Sequence, residues 1–432
     1  MRSTKRVSEN NIVKRTFSAI FFGVGGAVGS RLLMFLANLL LSRSLGQNIF
    51  GQFSSLSNTV NLFVTFSGIG VSATLTRYVA ANRENGEITG MYIRTLSSIC
   101  AAMSVLLSVC LFVFAEQISL LSTGSDLLAV YFKIVAVTVF FASMSSVEQS
   151  IMVGFEAFAQ SSSIQLLRCA VFCITGFFFS RLWGIYGAVC ALLLSHLTQY
   201  VFYVIANRTR YKRMQIRLSW KWNKQTKEAT FSYAIPAFVS GLFVMPVHWI
   251  GNAMLTRTSG FSEMAVFTIA NQWMQYIIYI PAQMGQMRPI YTELFVKKDL
   301  NTLRKLMIRI TLMTTAAACC SSAIVILARN LILPLYGSGY IVGETTFSFM
   351  IVAAILYTAQ VQTGFMLQAM SKMWISVAIN GLWGIALICS YSMMLNQGAV
   401  GYSLAYCVAY SITLIIQVML MIRYLWMKKA ID

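Results

Sequence analysis

Acidic residues are scarce in this chain: Asp and Glu number 13 against 33 Lys and Arg. Charged residues of both signs make up only 11% of it, where soluble chains carry about 25%. With 57% apolar residues beside that scarcity, a water-soluble domain is excluded. Chemical signatures are missing as well. There is no GxxxxGKS/T loop, no HExxH pair, no acidic metal cluster and no Ser/His/Asp grouping. ATP hydrolysis, enzymatic catalysis and a bound metal or cofactor are therefore not expected, and an ion gradient or the membrane potential has to drive any uphill step. The nine cysteines all lie in apolar segments without CxxC or metal-ligand spacing, so they read as small apolar side chains. Proline is rare at five residues, which makes Pro236, Pro246 and Pro281, close together in the second half, candidate kinks or hinges.

What the chain has is apolar length. A membrane-spanning helix needs about 20 mostly apolar residues, and twelve such segments fit at 17–41, 50–76, 94–115, 127–152, 162–180, 184–206, 230–253, 264–287, 306–328, 345–369, 374–394 and 399–423. The first is longer than the roughly 7–15 residues of a secretory signal core, so it reads as an uncleaved span. Continuous runs exclude a β-barrel. Basic loops stay on the cytoplasmic side. With the amino terminus inside, Arg43, Arg181, Arg257 and Arg329 alone fall outside, and Arg31, Lys133 and Arg168 lie within spans. Both termini are then cytoplasmic. The net charge of +20 is a topology signal of this kind, with attraction to anionic headgroups added, and not a nucleic-acid footprint.

The hairpin Ala37 to Asn58 occurs twice. Shifted by 214 positions it becomes Gly251 to Gln272, with Asn38 on Asn252, Leu41 on Leu255, Arg43 on Arg257, Gly46 on Gly260 and Phe53 on Phe267. A second echo, shifted by 211, lays Gly187-Ala188-Val189 on Gly398-Ala399-Val400. The expected architecture is all-α, with six-helix bundles over 1–215 and 216–432 joined by the basic stretch Asn207 to Ala229. An even number of spans per repeat makes the halves parallel, with a pseudo-twofold axis along the membrane normal and a substrate site near the midplane.

Ionisable groups inside spans are functional candidates, because each costs roughly 2.5–3.5 kcal/mol at a helix centre. Here they are Arg31, Lys133, Glu148, Arg168, His196 and His248. Arg31 and Asn38 share a helix face two turns apart, as do His248 and Asn252 one turn apart. Those faces read either as cavity lining or as interhelical contacts. The amides Asn58 and Asn61 fall on Gln272 and Gln275, and suit a hydroxyl-rich ligand or helix adhesion. Glu148 is a candidate for ion coupling or a structural partner of Arg168. Lys133 either snorkels or lines the cavity, and His196 reads as a packed residue. Gly25 and Gly29 form a GxxxG, read as close helix packing or a bending point.

The first hairpin, with LxxxLG then FGxF, the Gly68-Ile69-Gly70 run and TRYVA leading into the next loop, resembles the Wzx-type polysaccharide flippases of the multidrug/oligosaccharidyl-lipid/polysaccharide exporter superfamily. The stretch from Gly154 to Val189, ending in GIYGAV, is similar too, and the likeness covers essentially the whole chain. It implies a MATE-like fold in a bacterial inner membrane, and translocation of an undecaprenyl-diphosphate-linked oligosaccharide, an O-antigen or capsule repeat unit, to the periplasmic leaflet. A polysaccharide polymerase and a chain-length regulator are the implied partners. It also implies a cationic cavity, for which Arg31, Arg168, His248 and Arg288 are the candidates, with Asn38, Asn252 and Gln272 beside them and Glu148 for ion coupling. Arginine suits a diphosphate, since its fork donates two hydrogen bonds at once. A multidrug antiporter of the same superfamily is the alternative, although it is expected to need more acidic cavity residues. A lipid II flippase is expected to have further spans, and a major-facilitator porter a GxxxDRxGRR-like loop where this chain reads TRYVAANRENGEITG. A polymerase or glycosyltransferase calls for a large outer loop or a soluble domain.

Overall fold

Apolar runs of this length can satisfy their backbone hydrogen bonds inside a bilayer only as helices or closed barrels, and the described residues contain helix and no strand. The computed structural model describes residues 9–231, 244–297, 299–370 and 372–426. The side chains of 9–24, 27, 69, 225, 280, 285, 286, 288, 289, 373 and 424–426 lie outside that description. The helices are α1 (Glu9–Ala81), α2 (Gly86–Val113), α3 (Ala115–Thr123), α4 (Ala129–Gly154), α5 (Phe158–Arg213), α6 (Lys224–Ala229), α7 (Met245–Gln283), α8 (Arg288–Val296), α9 (Leu300–Leu327), α10 (Arg329–Tyr336), α11 (Glu344–Ala369), α12 (Met373–Ser392) and α13 (Gly398–Trp426). Eight stretches among the described residues are long and apolar enough to cross a membrane.

Three of the helices are divided by glycines in conformations that L side chains rarely adopt. Gly46 (φ 75°, ψ 167°) breaks α1, Gly184 (φ 57°, ψ −134°) breaks α5 and Gly260 (φ 86°, ψ 178°) breaks α7. Gly398 (φ 56°, ψ −133°) opens α13. Gly46 thus matches Gly260, and Gly184 matches Gly398, both at a spacing of 214. This corrects the second echo. The Gly-Ala-Val letters align at 211, but the turn needs its positive-φ glycine at one place, and backbone geometry pairs Gly184 with Gly398. Gly187 then pairs with Gly401. An added Cβ would strike the Phe179 carbonyl at Gly187 and the Met394 carbonyl at Gly401. The caps keep the same register. Asn85 opens α2 by accepting from the Ile88 amide at 3.1 Å, and Asp299 opens α9 by accepting from the Thr302 amide at 3.1 Å.

The helices pack as two compact units. The first comprises Met1–Leu45, Leu56–Ser119 and Asp126–Leu242; the second comprises Gly46–Ser55, Leu120–Ser125 and Phe243–Asp432. In the first, the second arm of α1 lies on α4 along a seam of small residues. Ser67 bonds Ser143, Ser72 meets Ser146 at 3.0 Å, and the Thr76 hydroxyl donates to the Ser150 carbonyl at 3.1 Å. Leu75 and Val79 join Leu96, Cys100, Val147 and Ile151 in the apolar core beside that seam. The basic linker is tied to α2: Lys221 pairs with Glu87 at 2.9 Å, and Gly90 admits the Arg217 carbonyl where a Cβ would collide. In the second unit α11 packs against α7, α9 and α13, with Tyr291, Leu303, Met307, Met366 and Leu367 at the core.

One glycine expectation changes, and two of the three prolines can be placed. The close pair on α1 is Gly26 and Gly29, whose missing side chains admit Ser162 and Leu166 of α5, whereas nothing lies within 4 Å of Gly25. Pro246 sits in the first turn of α7, where its absent N–H costs nothing, and the residues just before that turn lie outside the described ones. Pro281 lies in the last turn of α7, just before the 3₁₀ turn Met284–Met287. Pro236 falls outside the described residues.

Candidate functional site

In the first unit, the first arms of α1 and α5 run side by side in the same direction. Gly26 meets Ser162, Gly29 meets Leu166, Gly176 meets Leu41, and the Ser44 and Ser180 hydroxyls are 2.7 Å apart. Arg31 and Asn38 are half-buried on this α1 arm, and Arg168 is half-buried on its α5 partner. Arg168 Nη2 donates to Cys169 Sγ at 3.6 Å, and its charge is within electrostatic reach of His196 and Tyr203. His196 carries a buried Nδ1 that has no hydrogen-bond partner among the described residues. Glu148 does not pair with Arg168. Its Oε2 and its carbonyl oxygen accept from Asn207 Nδ2 at 2.7 and 3.0 Å. Lys133 Nζ lies 5.9 Å from the centre of the Phe112 ring.

In the second unit, His248 opens onto a cavity of about 370 Å³, within the roughly 300–1,000 Å³ of small-molecule sites. Four helices line it, each with residues at helical spacing. α7 contributes His248, Met274, Gln275 and Ile278; α11 contributes Tyr357, Gln360, Gly364 and Gln368; α12 contributes Ser376, Asn380 and Trp383; and α13 contributes Tyr406, Tyr410, Thr413 and Gln417. The α13 residues fall at i, i+4, i+7 and i+11, a single face. Among the described residues, no Asp, Glu, Lys or Arg belongs to this lining.

The aromatic wall is continuous. Trp383 and Tyr410 stack with centroids 5.7 Å apart, and His248 lies 5.1 Å from Trp383. His248 Nδ1 shares a 2.6 Å hydrogen bond with the Tyr406 hydroxyl, and the Tyr402 hydroxyl donates to the His248 carbonyl at 3.5 Å. Gly251 lets α7 approach Tyr402, since a Cβ there would overlap the phenol. Polar groups are partly spoken for. Gln360 Oε1 accepts from Thr413 Oγ1 at 2.9 Å and from Gln417 Nε2 at 3.2 Å. Three buried polar atoms of the lining have no partner among the described residues: Trp383 Nε1, Ser376 Oγ and Gln417 Oε1. Together they offer a donor, a hydroxyl that can do either, and an acceptor. Buried polar atoms normally find partners, so this set fits a ligand that both donates and accepts hydrogen bonds, and the aromatic faces fit apolar ring surface beside those groups.

Of the other candidates, Gln272 Nε2 donates to the Tyr276 hydroxyl, and Asn252, one turn from His248, keeps a buried Oδ1 with no partner among the described residues; neither lines the cavity. The Arg288 side chain lies outside the described residues. The aromatic and amide set on α11 to α13 had not been singled out from sequence. Its signal was there in Tyr402, Tyr406 and Tyr410 repeating every four residues.

Comparison with known proteins bears on the same chain. A family model described as polysaccharide biosynthesis protein matches residues 18–295. The chain belongs to that family. It is similar to the EPS I polysaccharide export inner membrane protein EpsE of Ralstonia nicotianae, at 25% identity over 278 residues, and to that of Ralstonia solanacearum, at 25% over 279. Each match covers 62% of this chain and 62% of the relative, so it spans less than two thirds of those proteins. Among solved structures, the fold is similar to an inward-facing multidrug resistance MATE family transporter of the MOP superfamily, with TM-score 0.77 and 15% identity over 91% of this chain and 94% of the other. It is also similar to the lipid II flippase MurJ in an inward closed conformation, with TM-score 0.72 and 13% identity over 93% and 87%. The family member described here is thus an all-helical, multi-pass membrane protein with a MATE-like fold.

Proposed function

We propose that this protein is a flippase that moves an undecaprenyl-diphosphate-linked oligosaccharide, an O-antigen or capsule repeat unit, from the cytoplasmic to the periplasmic leaflet of a bacterial inner membrane. The observation that carries this reading is the aromatic and amide cavity of the second unit, whose described lining carries no charge. A member of a polysaccharide family presents aromatic faces, amides and unpartnered polar atoms suited to a hydroxylated ring. A multidrug antiporter for cationic drugs is the weaker reading, because the cavity has no carboxylate among the described residues that line it.

The remainder of the proposal rests on charge. A diphosphate cannot cross hydrocarbon unpaired. Arg31, Arg168 and Arg288 are assigned to it, with Asn38, Asn252 and Gln272 as supporting polar groups and His248 at the saccharide cavity. Glu148 is assigned to ion coupling. The chain is taken as twelve spans in two parallel six-helix repeats, 1–215 and 216–432, with both termini cytoplasmic and alternating access driven by an ion gradient or the membrane potential. The polymerase and chain-length regulator of the same polysaccharide are its expected partners.

A deletion strain tests the function. Undecaprenyl-linked repeat units are expected to accumulate on the cytoplasmic leaflet, the intact gene to relieve this, and Arg31→Ala and Arg168→Ala proteins to insert without relieving it. Normal surface polysaccharide in the deletion strain would refute the flippase reading.

A further inference from the structure

We infer that the groove between the two arms of α5 holds the phosphate of an anionic glycerophospholipid from the surrounding bilayer. Gly184 folds α5 back on itself, so that residues near its start face residues near its end. Between them lies a space of about 480 Å³ with an apolar stretch and a basic end. Ile164 and Leu167 form one wall; Phe202 and Ile205, 46% and 56% exposed, form the other. Such exposure suits contact with acyl chains, since lipid is as apolar as the side chains themselves.

Arg210 closes the basic end and is held on two sides. Its Nη2 donates to Gln160 Oε1 at 3.0 Å, and its guanidinium carbon lies 5.7 Å from the centre of the Phe155 ring. Nη1 is buried and has no partner among the described residues. Arg213 is exposed one turn further along the same rim. Among the described residues, no acidic one lines the groove to neutralise either cation. A fixed guanidinium with an unused N–H, a second cation beside it and an apolar wall leading away match one phosphate with its acyl chains. The basic end of a spanning helix also lies where headgroup phosphates lie. The groove is formed within α5 alone, so the inference stands apart from the saccharide cavity and from the flippase reading.

Native mass spectrometry of the full-length protein, titrated with phosphatidylglycerol or phosphatidylcholine, tests this. Phosphatidylglycerol is expected to bind at least about tenfold more tightly than phosphatidylcholine, as a charged hydrogen bond implies. Arg210→Gln and Arg213→Gln are each expected to weaken it about tenfold, and Arg423→Gln, at the basic end of α13, to leave it unchanged. Arg213 is exposed, so its variant reports on binding even if Arg210→Gln fails to fold. Equal affinity for the two lipids, or an equal loss in Arg423→Gln, would overturn the site. Displacement by inorganic phosphate alone would show a simple anion site, and displacement by an equimolar polyprenyl diphosphate would show the transported lipid as occupant; either result overturns the assignment to a bilayer phospholipid.

Discussion

Replacing Trp383 by Phe separates a ligand-binding side chain from a packing one. Trp383 is 6% exposed, it stacks on Tyr410, and its Nε1 has no partner among the described residues. An unmade buried N–H costs about 1–3 kcal/mol. Phe removes that cost but leaves unfilled the space of the smaller ring, at a comparable penalty of about 1–3 kcal/mol. The two effects offset, so the ligand-free protein is expected to change in stability by less than about 1 kcal/mol. Binding responds differently. A neutral hydrogen bond to a sugar hydroxyl contributes about 0.5–1.5 kcal/mol net, so its loss weakens binding about threefold to tenfold. The assay is thermal unfolding and calorimetric titration in a detergent without a sugar headgroup, against a panel of hexoses and N-acetylhexosamines. Trp383→Ala, which loses the stacking face as well, is expected to lose both stability and binding. A Trp383→Phe protein that binds as wild type while losing more than about 3 kcal/mol of stability would make Trp383 a packing residue and refute the reasoning.

Three further outcomes follow from the geometry. Gly184 and Gly398 share φ and ψ, but only Gly398 has a close neighbour, Glu263 Oε2 at 2.8 Å from an added Cβ. Both alanine variants are expected to lower the apparent melting temperature through about 1–3 kcal/mol of backbone strain, with Gly398→Ala the lower of the two. Glu148→Gln keeps an acceptor for Asn207 and is expected to fold normally but to lose any response of transport in proteoliposomes to an imposed pH gradient. The Thr302 hydroxyl and amide hold the exposed Asp299 carboxyl below its ordinary value. The helix cap is therefore fully present above the ordinary carboxyl range and is lost as pH falls through the folded value. In Asp299→Asn, hydrogen exchange at the start of α9 is expected to lose that acid dependence.

How much of this was legible from sequence depends on range. The helices follow from apolar length, and the hairpin repeat follows from Gly46 and Gly260, whose positive φ makes the letter itself informative. The register of the later half misled because Gly-Ala-Val is a common string, and only the backbone shows which glycine turns. Gly26 was passed over for Gly25 because spacing alone does not say which face meets α5. Glu148 was offered Arg168 on grounds of charge, whereas the fold supplies Asn207 from the far end of α5. The cavity was hidden for the same reason. His248 and Gln275 are candidates from the sequence, but Trp383, Gln360 and Gln417 come from three other helices, and each alone looks like one polar or aromatic residue in an apolar run.

At a spacing of 214 the scaffold repeats, and with it amides such as Asn38/Asn252 and Asn61/Gln275, but several of the other candidate side chains do not. Tyr402, Tyr406 and Tyr410 fall on Ala188, Leu192 and His196, Trp383 on Cys169, and Gln417 on Tyr203. In the other direction, Arg31, Glu148 and Arg168 fall on Met245, Gln362 and Leu382. Caps, glycine turns and helix starts are shared, as a duplicated fold requires, while Arg31, Glu148 and Arg168 belong to the first half alone and the Trp383, Tyr406, Tyr410 and Gln417 set to the second. Under the proposed function, the diphosphate is the part assigned to the first set and the saccharide the part assigned to the second. The double variant Arg168→Gln/Trp383→Phe tests this division. Two side chains that contact separate parts of one ligand contribute additively to its binding, within about 0.5 kcal/mol. Uptake of a lipid-linked oligosaccharide by the double variant is therefore expected to fall by the product of the single-variant factors. Binding of the free saccharide is expected to fall only with Trp383→Phe. A double variant no worse than either single one, or a free saccharide that responds to Arg168→Gln, would show that both groups act on the same part of the ligand.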